Sequence, residues 1–130
     1  MRKKPNDATK KRDNDFKKHV IVTVSRDPTD PNECRIEPRV VRVHYGGTVK
    51  FRSGLGSLIV FLPTPGKPYV PFRPLKKTPF FTVASKGKEL SVLKPRVRKP
   101  GKRAYVYAVY CKKLKTFAHA SLPKIIVANP

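Results

Sequence analysis

The chain has 130 residues, of which 30 are Lys or Arg and 8 are Asp or Glu, for a net charge of +22. That length holds one domain with its own core, since roughly two thirds of the unfolded surface is buried on folding at this size. The charge excludes a self-balanced surface and asks for a polyanion to sit against.

Further exclusions follow from the apolar residues and cysteines. No apolar stretch approaches the ~20 residues of a membrane span. The start, Met-Arg-Lys-Lys-Pro-Asn, lacks the apolar core of a secretion signal, so no membrane partner is expected and the expected compartment is the cytoplasm. The two cysteines, Cys34 and Cys111, are too few for a disulfide scaffold and are expected as thiols there. The 14 prolines and the short Val, Ile, Leu, Phe and Tyr runs exclude long helices, because a proline inside a helix costs about 3 kcal/mol.

Residues 1–18, MRKKPNDATKKRDNDFKK, hold eight basic and three acidic residues and only Phe16 as a large apolar group after Met1. Such a segment cannot offset the ordering entropy of about 1–2 kcal/mol per residue, so a flexible basic tail is expected before a domain spanning 19–130. The tail is either a solubilising segment or an arm that follows phosphates. His19-Val-Ile-Val-Thr-Val-Ser25 then alternates Val20, Val22 and Val24 onto one face, the two-residue period of a half-buried strand. Arg26 to Asn32 is turn-rich. From Cys34 to His44 the pattern is again extended, and Tyr45-Gly46-Gly47 predicts a hairpin turn into Thr48 to Arg52.

Leu58 to Leu62 is a continuous apolar run, as in a strand covered on both faces. The Pro-rich stretch from Pro63 to Pro79 reads as a long loop carrying Lys67, Arg73, Lys76 and Lys77, either a binding element or a crossing between sheets. Phe80 to Val83, Glu89 to Val92, Ala104 to Cys111 and Lys124 to Val127 supply further strands. About eight strands without a helix predict an all-β Greek-key sandwich of seven or eight strands.

Three segments carry a resemblance. Pro38-Arg-Val-Val-Arg-Val-His-Tyr-Gly-Gly-Thr-Val-Lys-Phe51, Gly101-Lys-Arg-Ala-Tyr-Val-Tyr-Ala-Val-Tyr-Cys111 and Pro123-Lys-Ile-Ile-Val127 resemble, in order and spacing, the cupredoxin-like domains of plastocyanin and azurin type. The resemblance implies that Cys111 stands where those proteins keep a copper thiolate. It also implies a first His near Ser57 to Val60, where none occurs, and a second soon after Cys111, where Lys112, Lys113 and Lys115 stand. His119 follows at a longer gap, and Met1 is the only Met. The resemblance therefore implies the fold without the metal, and no cofactor is expected.

Catalysis is not expected either. No Cys/His spacing matches a zinc site, no nucleophile elbow or phosphate-cradling loop occurs, and the acids beyond the tail are Asp27, Asp30, Glu33, Glu37 and Glu89. After Glu37, twenty Lys and Arg face the single acid Glu89. These bases gather in three groups: Lys94, Arg96, Arg98, Lys99, Lys102 and Arg103; Lys112, Lys113 and Lys115; and the Pro-rich loop. Each suits the sugar-phosphate backbone, which gives affinity without sequence choice. Tyr105 and Tyr107 share the parity of Val109 and Cys111 and are expected in the core, whereas Tyr110 has the opposite parity and could stack on a base. A nucleic-acid-binding module, RNA or DNA, is the leading expectation. A scaffold that docks an acidic protein or self-assembles through sheet edges is the alternative, and a copper electron carrier is the third reading.

Overall fold

A computed structural model describes residues 16–62, 72–73, 80–84, 86–93, 101–118 and 123–129. Among them the fold is all-β, built from eleven strands in two sheets. The strands are β1 (Lys17–Arg26), β2 (Cys34–Glu37), β3 (Val40–Ser53), β4 (Leu58–Phe61), β5 (Phe72–Arg73), β6 (Phe80–Val83), β7 (Lys88–Val92), β8 (Arg103–Val106), β9 (Ala108–Cys111), β10 (Thr116–Phe117) and β11 (Lys124–Ala128). No helix among the described residues is long and apolar enough to cross a membrane.

The large sheet runs β2-β1-β3-β11-β8, with β7 on β3 and β5 on β7. Its spine is β3, whose first half pairs in parallel with β11 (Val41 opposite Ile125) and whose second half lies between parallel β1 and antiparallel β7. The small sheet is antiparallel, in the order β10-β9-β4-β6. Val22, Val24, Val41, Val43, Val49 and Phe51 from the large sheet meet Leu58, Val60, Val83, Val109 and Cys111 from the small one in a single apolar core. Phe51 lies at its centre, edge-on to Phe81 at 5.5 Å and to Tyr107 at 5.6 Å. Edge-to-face packing aligns the positive ring edge with the negative ring face and adds about 0.5–1.5 kcal/mol to the burial of each pair.

Several sequence expectations change here. Tyr45-Gly46-Gly47 forms no hairpin, for β3 runs through it as one 14-residue strand. Val41, Val43, Tyr45, Gly47, Val49 and Phe51 stay inward without a change of parity, and a turn would have broken that sequence. The glycines instead make a bulge, at which the β1 register jumps from Lys17 opposite Val43 to His19 opposite Thr48.

The first strand also begins earlier than His19. Lys17 and Lys18 belong to β1, and Phe16 is buried against the His44 ring at 5.8 Å. The expected Cys34 to His44 strand is two, β2 and β3, separated by a turn that includes a cis Glu37-Pro38 bond. Within the predicted Pro-rich loop, Phe72 and Arg73 pair with Val92 and Ser91, and Phe72 is fully buried. Aromatic burial anchors that short strand, a gain the proline count concealed. The expected strand from Ala104 to Cys111 divides at Tyr107: β8 joins the large sheet, β9 joins the small one, and the Tyr107 N–H donates to Pro123 O at 3.0 Å.

Candidate nucleic-acid interface

The small sheet's two faces differ because the pleat sorts its side chains. Leu58, Val60, Phe81, Val83, Val109 and Cys111 turn into the core. The opposite parity of the same strands turns outward and is also apolar. Across this outer face the register sets Thr82, Ile59, Tyr110 and Phe117 in one row, and Phe80, Phe61 and Ala108 in the next. Leu58 to Leu62, expected to be covered on both faces, is fully buried on the core side and part-buried on the other. Ile59 and Phe61 are half-buried beneath neighbouring rings, and among the described residues no second layer lies over them.

Four aromatic rings make a continuous patch. Phe61 lies 6.0 Å from Phe80 and 5.9 Å from Phe117, and Tyr110 packs edge-on to Phe117 at 5.0 Å. Phe80 is 46% exposed and Phe117 51% exposed. Phe61, Phe80 and Phe117 went unnoticed in the sequence, yet parity carried the signal: if Val60 and Phe81 face inward, Phe61 and Phe80 face outward.

One end of the patch carries charge. Lys112, Lys113 and Lys115 are exposed in the turn joining β9 to β10. Lys112 follows Tyr110 by two residues, and its N–H reaches Ser57 O at 3.4 Å, which keeps the turn against the start of β4. The turn closes with Lys115 N–H donating to Lys112 O at 3.3 Å, and Lys115 takes a left-handed conformation, φ 52°. Glycine or asparagine fills such positions with less strain, so the lysine is held there at a conformational cost.

The carboxylates lie elsewhere. No Asp or Glu occurs in β4, β6, β9, β10 or the 112–115 turn. Asp27 and Asp30 shape the β1–β2 loop: Asp27 Oδ1 accepts from the Thr29 N–H at 2.8 Å and hydroxyl at 2.7 Å, and Asp30 Oδ1 accepts from the Asn32 N–H at 3.0 Å. The Thr29 hydroxyl, and then its N–H, hold the Asp27 carboxyl below its ordinary range. Glu37 pairs with Arg35 at 3.4 Å, and Glu89 stands opposite Lys50 in the large sheet.

The other basic residues are dispersed. Lys102 and Arg103 are exposed at the start of edge strand β8, with Lys102 Nζ 5.6 Å from the centre of the Phe16 ring. Arg73 is exposed on β5, and the edge-on contact of its neighbour Phe72 with Tyr105 at 5.0 Å draws β5 towards β8. Lys94, Arg96, Arg98, Lys99, Lys67, Lys76 and Lys77 lie outside the described residues. Tyr105 and Tyr107 are buried, as their parity implies, while Tyr110 joins the outer patch. Burial raises the Tyr107 phenol far above its ordinary value.

No family model and no curated protein matches this chain. A copper site at Cys111 does not fit the residues around it. The thiol is fully buried, lies near Cys34, stands opposite Leu58 and is followed by lysines. Among the described residues no three His, Cys, Asp or Glu side chains gather as a metal-binding group, and His119 lies outside them.

Proposed function

We propose that this protein is a non-catalytic nucleic-acid-binding module that grips the sugar-phosphate backbone with exposed lysines and arginines. One observation carries the reading: Lys112, Lys113 and Lys115 project from the end of a sheet that contains no carboxylate. Cations without local partners hold condensed anions only loosely, and a phosphate chain that displaces those anions while shedding its own counterions gains entropy. Lys102, Arg103 and Arg73 extend the cationic surface onto β8 and β5.

The module is a cupredoxin-like sandwich without copper, working in the cytoplasm as an accessory of a ribonucleoprotein or chromosome assembly. In support of that lineage, the segments that resemble cupredoxins become β3, β8, β9 and β11, the strands that organise the two sheets.

The test is fluorescence anisotropy with a labelled oligonucleotide across a salt series. Binding is expected at ~50 mM salt, falling linearly on logarithmic axes as salt rises. Replacing Lys112, Lys113 and Lys115 together with Ser should lower affinity at least ~10-fold for every sequence and flatten the salt slope by about 2. Absence of binding at ~50 mM salt defeats the proposal, and a loss confined to one sequence contradicts backbone contact.

A further inference from the structure

We infer that the outer face of the small sheet is a stacking platform for the unpaired bases of a single-stranded nucleic acid, with the 112–115 turn holding the adjoining phosphates. This inference rests on the nucleic-acid reading above and specifies its ligand. The platform consists of Phe80, Phe61, Phe117 and Tyr110, with Ile59 between them.

Three features select this ligand. First, the rings are packed at a tilt and partly exposed. Phe61 and Phe80 are inclined by 49°, Phe61 and Phe117 by 43°, and Tyr110 and Phe117 by 65°. None of these pairs is a parallel stack, and Phe80 and Phe117 are about half exposed. Every base has a π-face, and stacking on it tolerates any sequence.

Second, the face is short of groups that could read or repel. The hydroxyls of Thr82 and Tyr110 are the polar groups in the two rows, and among the described residues of this sheet no carboxylate is present to oppose a phosphate. Among the described residues of this sheet the lysines lie at its end, beyond Tyr110. Apolar rings beside cations match the alternation of bases and phosphates along one strand. A duplex keeps its base faces within its own stack and offers only grooves and backbone, so the rings have nothing to receive from it.

Third, charge argues against the other apolar occupants. A second copy docked through this face would bring another Lys112, Lys113 and Lys115 beside the first, and a second net charge of +22 with them. An acidic peptide would satisfy the lysines but bring its carboxylates against the apolar rings of Phe61, Phe80 and Phe117.

The test compares a single-stranded oligouridine with a duplex of equal phosphate count, using wild type, Phe80→Ala, Phe117→Ala and the double variant, each checked for an unchanged circular dichroism spectrum. Both side chains project outward, so the fold should survive. Single-strand affinity should fall about 10-fold for each variant and further for the double variant, while duplex affinity stays within about twofold. Phe117→Trp should retain binding, and its fluorescence, the only indole signal in this chain, should be quenched when the oligouridine binds. If the phenylalanine variants bind the single strand like wild type while the lysine triple variant loses it, the platform is refuted and the backbone reading stands. Equal losses on single strand and duplex also refute it. No binding of either oligonucleotide removes both readings together. A dimer in sedimentation that Phe117→Ala dissolves assigns the face to a second copy, and tight polyglutamate binding sensitive to the same variant assigns it to an acidic protein. Either result overturns the inference.

Discussion

Gly47→Ala is expected to destabilise the protein by at least ~3 kcal/mol and to lower the melting temperature by about 10 °C or more. An added Cβ at Gly47 lands 2.0 Å from Lys18 O, 2.9 Å from Lys18 C and 3.0 Å from His44 O. All three are backbone atoms, so no side chain can swing aside. Relief requires β1 to withdraw from β3, and that ladder runs from His19 opposite Thr48 to Val24 opposite Ser53. Val22 and Val24, both fully buried, move with it. Gly46→Ala is the control: its Cβ meets nothing within 4 Å, but φ is +87°, so only the strain of a left-handed residue applies, about 1–2 kcal/mol. Thermal melts followed by circular dichroism should rank wild type above Gly46→Ala and Gly46→Ala well above Gly47→Ala. Equal melting of Gly47→Ala and wild type rules out the close approach of β1.

The same pair of glycines shows where the sequence is legible and where it is not. Period-two alternation is a property of one strand, and it correctly located β1 and β3 and their inward sides, while β4, β6, β7 and β11 were legible only as short apolar runs. What a strand pairs with depends on contacts far along the chain. Gly46-Gly47 has the composition of a hairpin turn, and only the approach of Lys18 makes it a bulge in a strand between parallel neighbours. Tyr107 is similar: nothing local marks it as the point where the chain leaves one sheet for the other, because the inward parity of Tyr105, Tyr107 and Val109 is the same on both sides.

For the candidate site, the exposed charge of Lys112, Lys113 and Lys115 was legible and the aromatic patch was not. Lys112, Lys113 and Lys115 announce themselves by the shortage of acids. Phe61, Phe80 and Phe117 come from three separate strands, and each alone looks like an ordinary core residue. They become a surface only when β4 pairs with β6 and β9, and β9 with β10.

Oxidising the folded protein with a diazenedicarboxamide is expected to produce one intramolecular disulfide between Cys34 and Cys111 and to raise the melting temperature by about 10–15 °C. Both cysteines are free and buried, one on edge strand β2 of the large sheet and the other on β9 of the small sheet. Each thiol shifts the titration of the other, so the two sulfurs lie near one another across the sandwich. The reaction takes two electrons and two protons from the thiols and converts the diazene to the hydrazine. The new bond closes a loop of roughly 80 residues, and the chain-entropy relation then assigns about 4.5 kcal/mol to the loss of unfolded-state freedom.

Burial raises both thiols above their ordinary value of 9.0. The nucleophilic thiolate is therefore scarce at neutral pH, and the reaction should be slow there and faster above pH 9. The raised values also give the reduced protein a distinct pH profile. Its folded state holds the two thiol protons where the unfolded chain releases them, so their contribution to stability is complete below 9.0 and declines as pH rises above it. Oxidation removes both titrating groups and should remove their share of that alkaline decline. Non-reducing electrophoresis, the loss of two hydrogens in the intact mass, and melts at several pH values check these outcomes. Disulfide-linked dimers in place of the internal bond, or rapid alkylation of both cysteines in the folded protein, would show that the two sheets do not hold the sulfurs together.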